Sequence, residues 1–162
     1  MNKRTTNQPK EFEERVIQIN RVSKKTKGGN KIGFTALVVV GDRKGRVGVA
    51  LGKANDVLSA IKKGVRKAKK NLITIPLKDG TIPHEIYLKD GAARLLLKPA
   101  PKGTGVIAGG SIRSVLELAG VKDIVAKMLG TNNKLSNVNA TFKSLKLISS
   151  IVQVKKEIGL QK

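Results

Sequence analysis

The 162-residue chain has no cysteine, no tryptophan and one histidine, and aromatic residues make up only 2% of it. Without cysteine there is neither a disulfide nor a thiolate metal site. The aromatics are Phe12, Phe34, Tyr87 and Phe142. Proteins that grip single strands stack bases on aromatic faces. A chain this poor in them is expected to read backbone and shape instead, which suits folded or double-stranded RNA. His84 stands alone beside Pro83, with no motif supplying a nucleophile and carboxylate for a triad, so a structural role is expected. The 11 acids are scattered, and the one adjacent pair, Glu13-Glu14, sits in a polar segment. That pattern offers no two-metal site. No apolar run is long enough to span a bilayer. Met1 to Lys10 lacks the apolar centre of a secretory signal. The expected location is the cytoplasm, with no cofactor, no metal and no small-molecule substrate.

What the chain does have is positive charge. There are 33 Lys and Arg against 11 Asp and Glu, for a formal net charge of +22. A compact domain so charged repels itself unless a polyanion is near. Nucleic acid is the first partner this implies, through release of condensed counterions from phosphates, and an anionic membrane is the second. Hydrophobic residues at 40% are enough for a folded core and argue against a disordered basic tail.

Residues 1–10 read as a disordered arm. Glu11 to Asn20 alternates in polarity and reads as a first strand. Arg21 to Lys31 (RVSKKTKGGNK) reads as a basic loop with a Gly28-Gly29 turn. Phe34 to Val40 is a β-branched strand. Gly41 to Gly45 is a hairpin turn, and Arg46 to Leu51 is the returning strand, in which Gly48 signals a bulge or a close backbone approach. From Asn55 to Leu72 the period changes. Val57, Leu58, Ile61, Val65, Ala68 and Leu72 form a helical stripe, with Asn55 as the N-cap and Lys62, Lys63, Arg66, Lys67, Lys69 and Lys70 on the other face. The first half, residues 11–75, is therefore three antiparallel strands and a helix, with the sheet covered on one side.

A turn-rich connection with a boundary near Pro76–Gly80 leads to a second unit, residues 80–148. A hairpin runs from His84 to Lys89 and from Ala93 to Lys98 around Asp90-Gly91. A Gly-rich stretch, Lys102 to Gly110, precedes a helix capped by Ser111 and closed by Gly120. Asp123 to Leu129 reads as a short helix and Ala140 to Ile148 as the last one, followed by a weakly periodic tail, 149–162. This half is expected to be an α/β two-layer sandwich, and the fold class α+β.

The Gly-rich loop has the spacing G-x-G-x-x-x-G, one residue longer than the dinucleotide fingerprint, and it follows a proline break instead of a strand. Two readings stay open. One is a turn that packs a helix against the sheet, and the other is backbone N–H groups facing an RNA phosphate. The basic loop, the turn carrying Arg43, Lys44 and Arg46, and the helix face Lys62 to Lys70 fall in one predicted domain, where together they would form one broad positive surface. Lys offers mobile point charges to phosphate, and Arg a fork. A free-standing chaperone of duplex nucleic acid is a second possibility. An RNA-processing enzyme is a third, and it would have to draw metal-binding acids from Asp42, Asp56 and Asp90.

Longer runs carry a resemblance. Asn20-Arg-Val-Ser-Lys24, Lys27-Gly-Gly29, Phe34-Thr-Ala-Leu37, Val39-Val-Gly-Asp42, Gly45-Arg-Val-Gly48 and Gly52-Lys-Ala54 occur in order. Gly80-Thr-Ile-Pro-His84, Leu97-Lys-Pro-Ala100, Gly103 to Gly110 and Leu116-Glu-Leu-Ala-Gly-Val121 follow. The chain resembles the bacterial S-five family of small-subunit ribosomal proteins over about Glu11 to Leu147. The resemblance implies a double-stranded-RNA-binding-like N-terminal domain and a C-terminal βαβ-type domain. It also implies a structural, non-enzymatic role in translation. This means binding to small-subunit ribosomal RNA near the decoding region and the path by which messenger enters, a share in assembly and accuracy, and the S-four and S-eight proteins as neighbours. Val22, Ser23, Lys24, Lys27, Gly28 and Gly29 match the family's RNA-inserted loop, beside the spectinomycin site. Gly103, Thr104, Gly105 and Arg113 match the region that faces the S-four protein. With the surrounding basic residues Arg21, Lys25, Lys31, Arg43, Lys44, Arg46, Lys53, Lys62, Lys63, Arg66 and Lys67, the loop makes up the candidate RNA site.

Overall fold

The computed structural model describes residues 11–158, so the expected arm at 1–10 lies outside the described residues. The first sheet has the order β1-β2-β3-β4, all antiparallel, from Glu13–Thr26, Gly29–Gly41, Arg46–Ala54 and Leu72–Thr74. Two differences from the sequence reading stand out. The basic segment from Arg21 is not a loop: β1 and β2 pair continuously to Thr26↔Gly29 and form one long hairpin. Leu72 does not end the helix but opens a fourth strand beside β3.

Helix α1 (Val57–Lys70) is capped by Asp56, not Asn55, and the Asp56 carboxylate accepts from Ser59 N–H at 3.0 Å. Of the expected stripe only Ala68 is fully buried, with Ile61 and Val65 partly buried; the buried seam is Ala60, Gly64 and Ala68. These small residues bring the helix backbone down onto β3. A Cβ on Gly52 would sit 2.0 Å from the Ala60 carbonyl oxygen, and one on Gly48 2.3 Å from that of Ala68. The close approach signalled by Gly48 is therefore real. Because the seam lies at spacing four along Ala60, Gly64 and Ala68, Leu58 is turned outward and is 67% exposed.

The second sheet has the order β5-β6-β8-β7, from Ile86–Asp90, Ala93–Pro99, Ile124–Met128 and Val106–Ile107. The segment expected as a short helix after Asp123 is β8, which pairs antiparallel with β6 and parallel with β7. Four to five apolar residues do not distinguish helix from strand by period alone, and here sheet pairing decides. Helix α2 (Gly110–Ala119) starts at Gly109 with no side-chain cap, so Ser111 is not its cap, and Gly120 closes it at φ 88°. Helix α3 (Lys134–Glu157) is far longer than Ala140–Ile148 and takes in much of the expected tail.

The first sheet, expected to be covered on one side, is covered on both faces. Ala36, Val38 and Val40 of β2 point into the cluster under α1. Leu37 and Val39, on the alternate face, join Ile112, Val115 and Leu118 of α2 and Leu95 and Leu97 of β6 in the main core. A strand buried on both sides has to be apolar at consecutive positions, and this explains the unbroken run from Ala36 to Val40. The β2–β3 turn supplies the polar part of the same junction. Arg43 N–H and Gly45 N–H donate to the Leu118 and Ala119 carbonyls at 3.0 and 2.9 Å, satisfying oxygens that a helix C-terminus leaves free.

Candidate nucleic-acid interface

β3 ends at Ala54, opposite Phe34 of β2. Beyond that pair the hairpin runs on as two strands alone, through Val22↔Gly33, Ser23↔Ile32, Lys24↔Lys31, Lys25↔Asn30 and Thr26↔Gly29. At about 3.4 Å per residue the overhang projects about 15 Å. The turn at its tip is Lys27-Gly28, braced by the Thr26 hydroxyl donating to the Gly29 carbonyl at 2.8 Å. Residues 23–32 are all exposed. Between Arg21 and Lys31 there are five cations and no acid.

Two features of this hairpin are costly for the free protein. A two-stranded ribbon with no sheet beneath it is marginal in water. Lys24 and Lys31 are direct cross-strand partners, and like charges placed opposite one another are destabilising. An anion between them reverses the sign of that interaction. Behind them lies a groove of about 620 Å³, lined on the hairpin by Val22, Ser23, Lys24, Lys31 and Ile32 and on the body by Lys53, Asp56, Ser59 and Lys63. The Asp56 carboxyl, held below the usual carboxylate range by the Ser59 backbone N–H, is the acid of the groove and is committed to capping α1. Lys62, Lys63, Arg66 and Lys67 are exposed along α1 and continue the positive surface away from the groove.

The single broad surface expected from sequence is divided. Arg43, Lys44 and Arg46 sit at the other end of β2 from the hairpin tip, about 40 Å away along the strand. Two of them are engaged within the protein. Arg43 donates to Glu13 at 2.6 Å, and Arg46 donates to Asp42 at 2.6 Å and to Glu11 at 3.1 Å. The Arg46 guanidinium also lies 5.0 Å from the Phe12 ring centre. The Glu13 carboxyl is lowered by its hydrogen bond from Arg43. Burial pushes the Asp42 carboxyl up, but hydrogen bonds from the Arg46 side chain and from the Lys44 and Arg46 N–H groups outweigh it and leave it lowered. Across the junction Arg15 and Arg113 both reach Glu117 at 2.7 Å and hold its carboxyl low. These acids thus gather where the two halves meet, and the overhang from Arg21 to Lys31 carries none.

The Gly-rich loop has an answer of its own. Asp123, which is buried, accepts from Gly103 N–H at 3.0 Å and Gly105 N–H at 2.8 Å. The Thr104 hydroxyl donates to the Pro101 carbonyl at 2.7 Å. These N–H groups are spent inside the protein, which favours the packing reading over a phosphate cradle. Gly103 and Thr104 remain exposed, whereas Arg113 is tied to Glu117 at the junction. Asp123 has no local sequence signal, since its partners lie 18 and 20 residues earlier. Asp42, Asp56 and Asp90 do not come together. Each has a separate structural partner, Asp90 being bonded to Lys143 at 2.6 Å.

Comparison with known proteins fits this geometry to a family. Residues 12–76 match the family described as ribosomal protein S5, N-terminal domain, and residues 88–158 match its C-terminal domain. The chain belongs to the ribosomal protein S5 family. It is 50% identical over 158 residues to the small ribosomal subunit protein uS5 of Trichormus variabilis, covering 97% of this chain and 91% of that one. It is 52% identical over 141 residues to the uS5 of Chloroflexus aurantiacus, covering 87% and 79%. With the uS5c protein of Rhodomonas salina it shares 46% identity over 164 residues and 98% of each chain. As a member of this family the chain is a structural ribosomal constituent in translation, not an enzyme.

Proposed function

We propose that this protein is held in the small ribosomal subunit by small-subunit ribosomal RNA seated against the β1–β2 hairpin and the groove behind it. The observation that carries this reading is the Lys24↔Lys31 pair on an acid-free, unsupported ribbon, an arrangement that a polyanion stabilises and water does not. Arg21, Val22, Ser23, Lys24, Lys25, Lys27, Gly28, Gly29 and Lys31 form the inserted element. Lys53, Lys62, Lys63, Arg66 and Lys67 flank it. Through these contacts the protein contributes to subunit assembly, to translational accuracy and to the path by which messenger enters, with the spectinomycin site near the hairpin. Gly103 and Thr104 present the surface for the S-four neighbour, with Gly105 and Asp123 setting the loop's shape, and the S-eight protein is the second neighbour. Arg43, Arg46 and Arg113 act mainly within the fold.

Sedimentation of the tagged protein through sucrose gradients at low and high magnesium tests this. Migration with the small subunit after the subunits separate is the expected result. Lys24→Glu with Lys31→Glu is expected to shift protein to the top of the gradient, and Lys146→Glu with Lys155→Glu on α3, an equal change in charge, is not. Equal loss in both variants would mean that only bulk charge matters, and a wild-type protein that stays at the top would overturn the ribosomal placement.

A further inference from the structure

The second sheet has one face packed on α2 and α3, where Leu95, Leu97, Ile124 and Ala126 enter the core. Strand alternation places Tyr87, Lys89, Arg94, Leu96, Lys98 and Lys127 on the opposite face. The pairings Tyr87↔Leu96↔Lys127 and Lys89↔Arg94 set them in adjoining rows. Strands lie about 4.8 Å apart and same-face neighbours along a strand about 6.7 Å apart, so the four cations and the tyrosine lie within one small patch. Glu85, 3.4 Å from Lys98, is the acid beside it. Tyr87 is 56% exposed.

Lys89↔Arg94 repeats, in the other half of the chain, the feature found at the hairpin: two like charges as direct cross-strand partners on an exposed face. Nothing in the fold requires it, since either position would accept an acid or a neutral residue without change to the core. A half-exposed aromatic ring beside Leu96, ringed by Lys and Arg, has the parts of a sheet platform for unpaired bases. The ring stacks a base, and the cations follow the backbone. We infer that the open face of the second sheet, centred on Tyr87 and the Lys89–Arg94 pair, is a separate binding surface for a single-stranded segment of RNA. It rests on the RNA-binding reading above and adds a second site with a different preference.

The chain has one tyrosine and no tryptophan, so its intrinsic emission reports this face alone. The full-length protein is titrated with a fluorescently labelled twelve-residue oligouridine. Tyrosine emission is corrected for RNA absorption, and anisotropy of the label is followed in parallel. Saturable quenching is expected, because a base stacks on the ring. Lys89→Glu with Lys127→Glu is expected to weaken the quenching transition about tenfold or more, while Lys24→Glu with Lys31→Glu leaves it within about twofold. Lys89→Glu alone relieves the Lys89–Arg94 repulsion and is expected to raise Tm by about 1 °C, a sign opposite to that of a structural lysine. Lys89→Gln serves as the milder replacement. RNA binding seen by anisotropy with tyrosine emission unchanged, or quenching lost in the hairpin variant and kept in the sheet variant, would overturn the second site and leave the hairpin reading intact. Absence of oligouridine binding by both signals would overturn the second site and leave the hairpin reading, which concerns folded RNA, to the sedimentation test above. A face built for an acidic protein surface would likewise leave the tyrosine silent toward RNA.

Discussion

Gly120 closes α2 at φ 88°, and its α-carbon faces the β2–β3 turn so closely that an added Cβ would lie 2.3 Å from the Arg43 carbonyl oxygen and 2.5 Å from its carbon. In Gly120→Ala two costs combine. An L-residue in the left-handed region costs about 1–2 kcal/mol. The turn must also retreat, which removes the Arg43 N–H and Gly45 N–H bonds to the end of α2, worth about 1 kcal/mol each. The expected destabilisation is about 3–4 kcal/mol, or roughly 10 °C in Tm for a chain of this size. Gly91→Ala is the matched control. Its φ is 58° and nothing lies within 4 Å of the added carbon, so only the backbone term of about 1–2 kcal/mol applies. Thermal unfolding of the two variants measures the difference, and amide exchange at Arg43 and Gly45 locates it, with both amides losing protection in Gly120→Ala alone. Equal Tm shifts in the two variants would refute the argument that this turn and α2 lock the halves together.

Removing both hairpin lysines, as Lys24→Glu with Lys31→Glu, is expected to lower the slope of log affinity against log salt for ribosomal RNA by about 1–2. An unchanged slope in filter-binding titrations would mean that neither touches phosphate. Asp123→Ala leaves the Gly103 and Gly105 N–H groups unpaired and is expected to cost about 2–4 kcal/mol. Asp123→Asn, which keeps an acceptor, should cost less, and urea unfolding ranks them. The Glu13, Asp42 and Glu117 carboxyls are all lowered in the fold. Their contribution to stability is therefore present above the unfolded carboxylate value of about 4 and is lost as pH falls through their folded values. Melting temperature should fall steeply below about pH 4, and Glu117→Gln should flatten that fall; parallel profiles for wild type and variant would deny the junction this role.

Elements whose pattern is local were legible in the sequence. The β-branched run from Phe34, the hairpin around Asp90-Gly91 and the glycine end of α2 carry their reasons within a few residues. What escaped depends on distant partners. β8 looked helical because five residues cannot show a period, and β6 and β7 decide its state. Ala60, Gly64 and Ala68 outranked the bulky stripe of α1 because Gly48 and Gly52 on β3 let the backbones meet there. The basic segment after Arg21 looked like a loop because its charges obscure strand alternation, yet Val22 and Ile32 and continuous pairing make it a ribbon. For the site, the cations and the acid-free stretch could be read directly. Which cations were free could not, because Arg43 and Arg46 are neutralised by Glu13, Glu11 and Asp42, from the far side of a hairpin or across a turn.

The placement of those acids offsets part of the self-repulsion of a chain of net charge +22 where its two halves meet. Surface ion pairs are individually weak, but here Glu13, Asp42 and Glu117 lie where arginines from the strands, the turn and α2 converge. At that point unpaired cations would push the two halves apart. An acid at the overhang would stabilise the free ribbon in the same way, but it would also cancel charge that the proposed RNA contact uses. On the proposed function, Lys24 facing Lys31 is the opposite choice, repulsion kept in the free protein and relieved on RNA binding. On this argument Lys31→Glu should make the isolated protein slightly more stable and its RNA complex weaker. Circular-dichroism melting and filter binding of the same preparation test both signs together. A variant that lost stability and affinity in parallel would show Lys31 to be part of the fold and not of the interface.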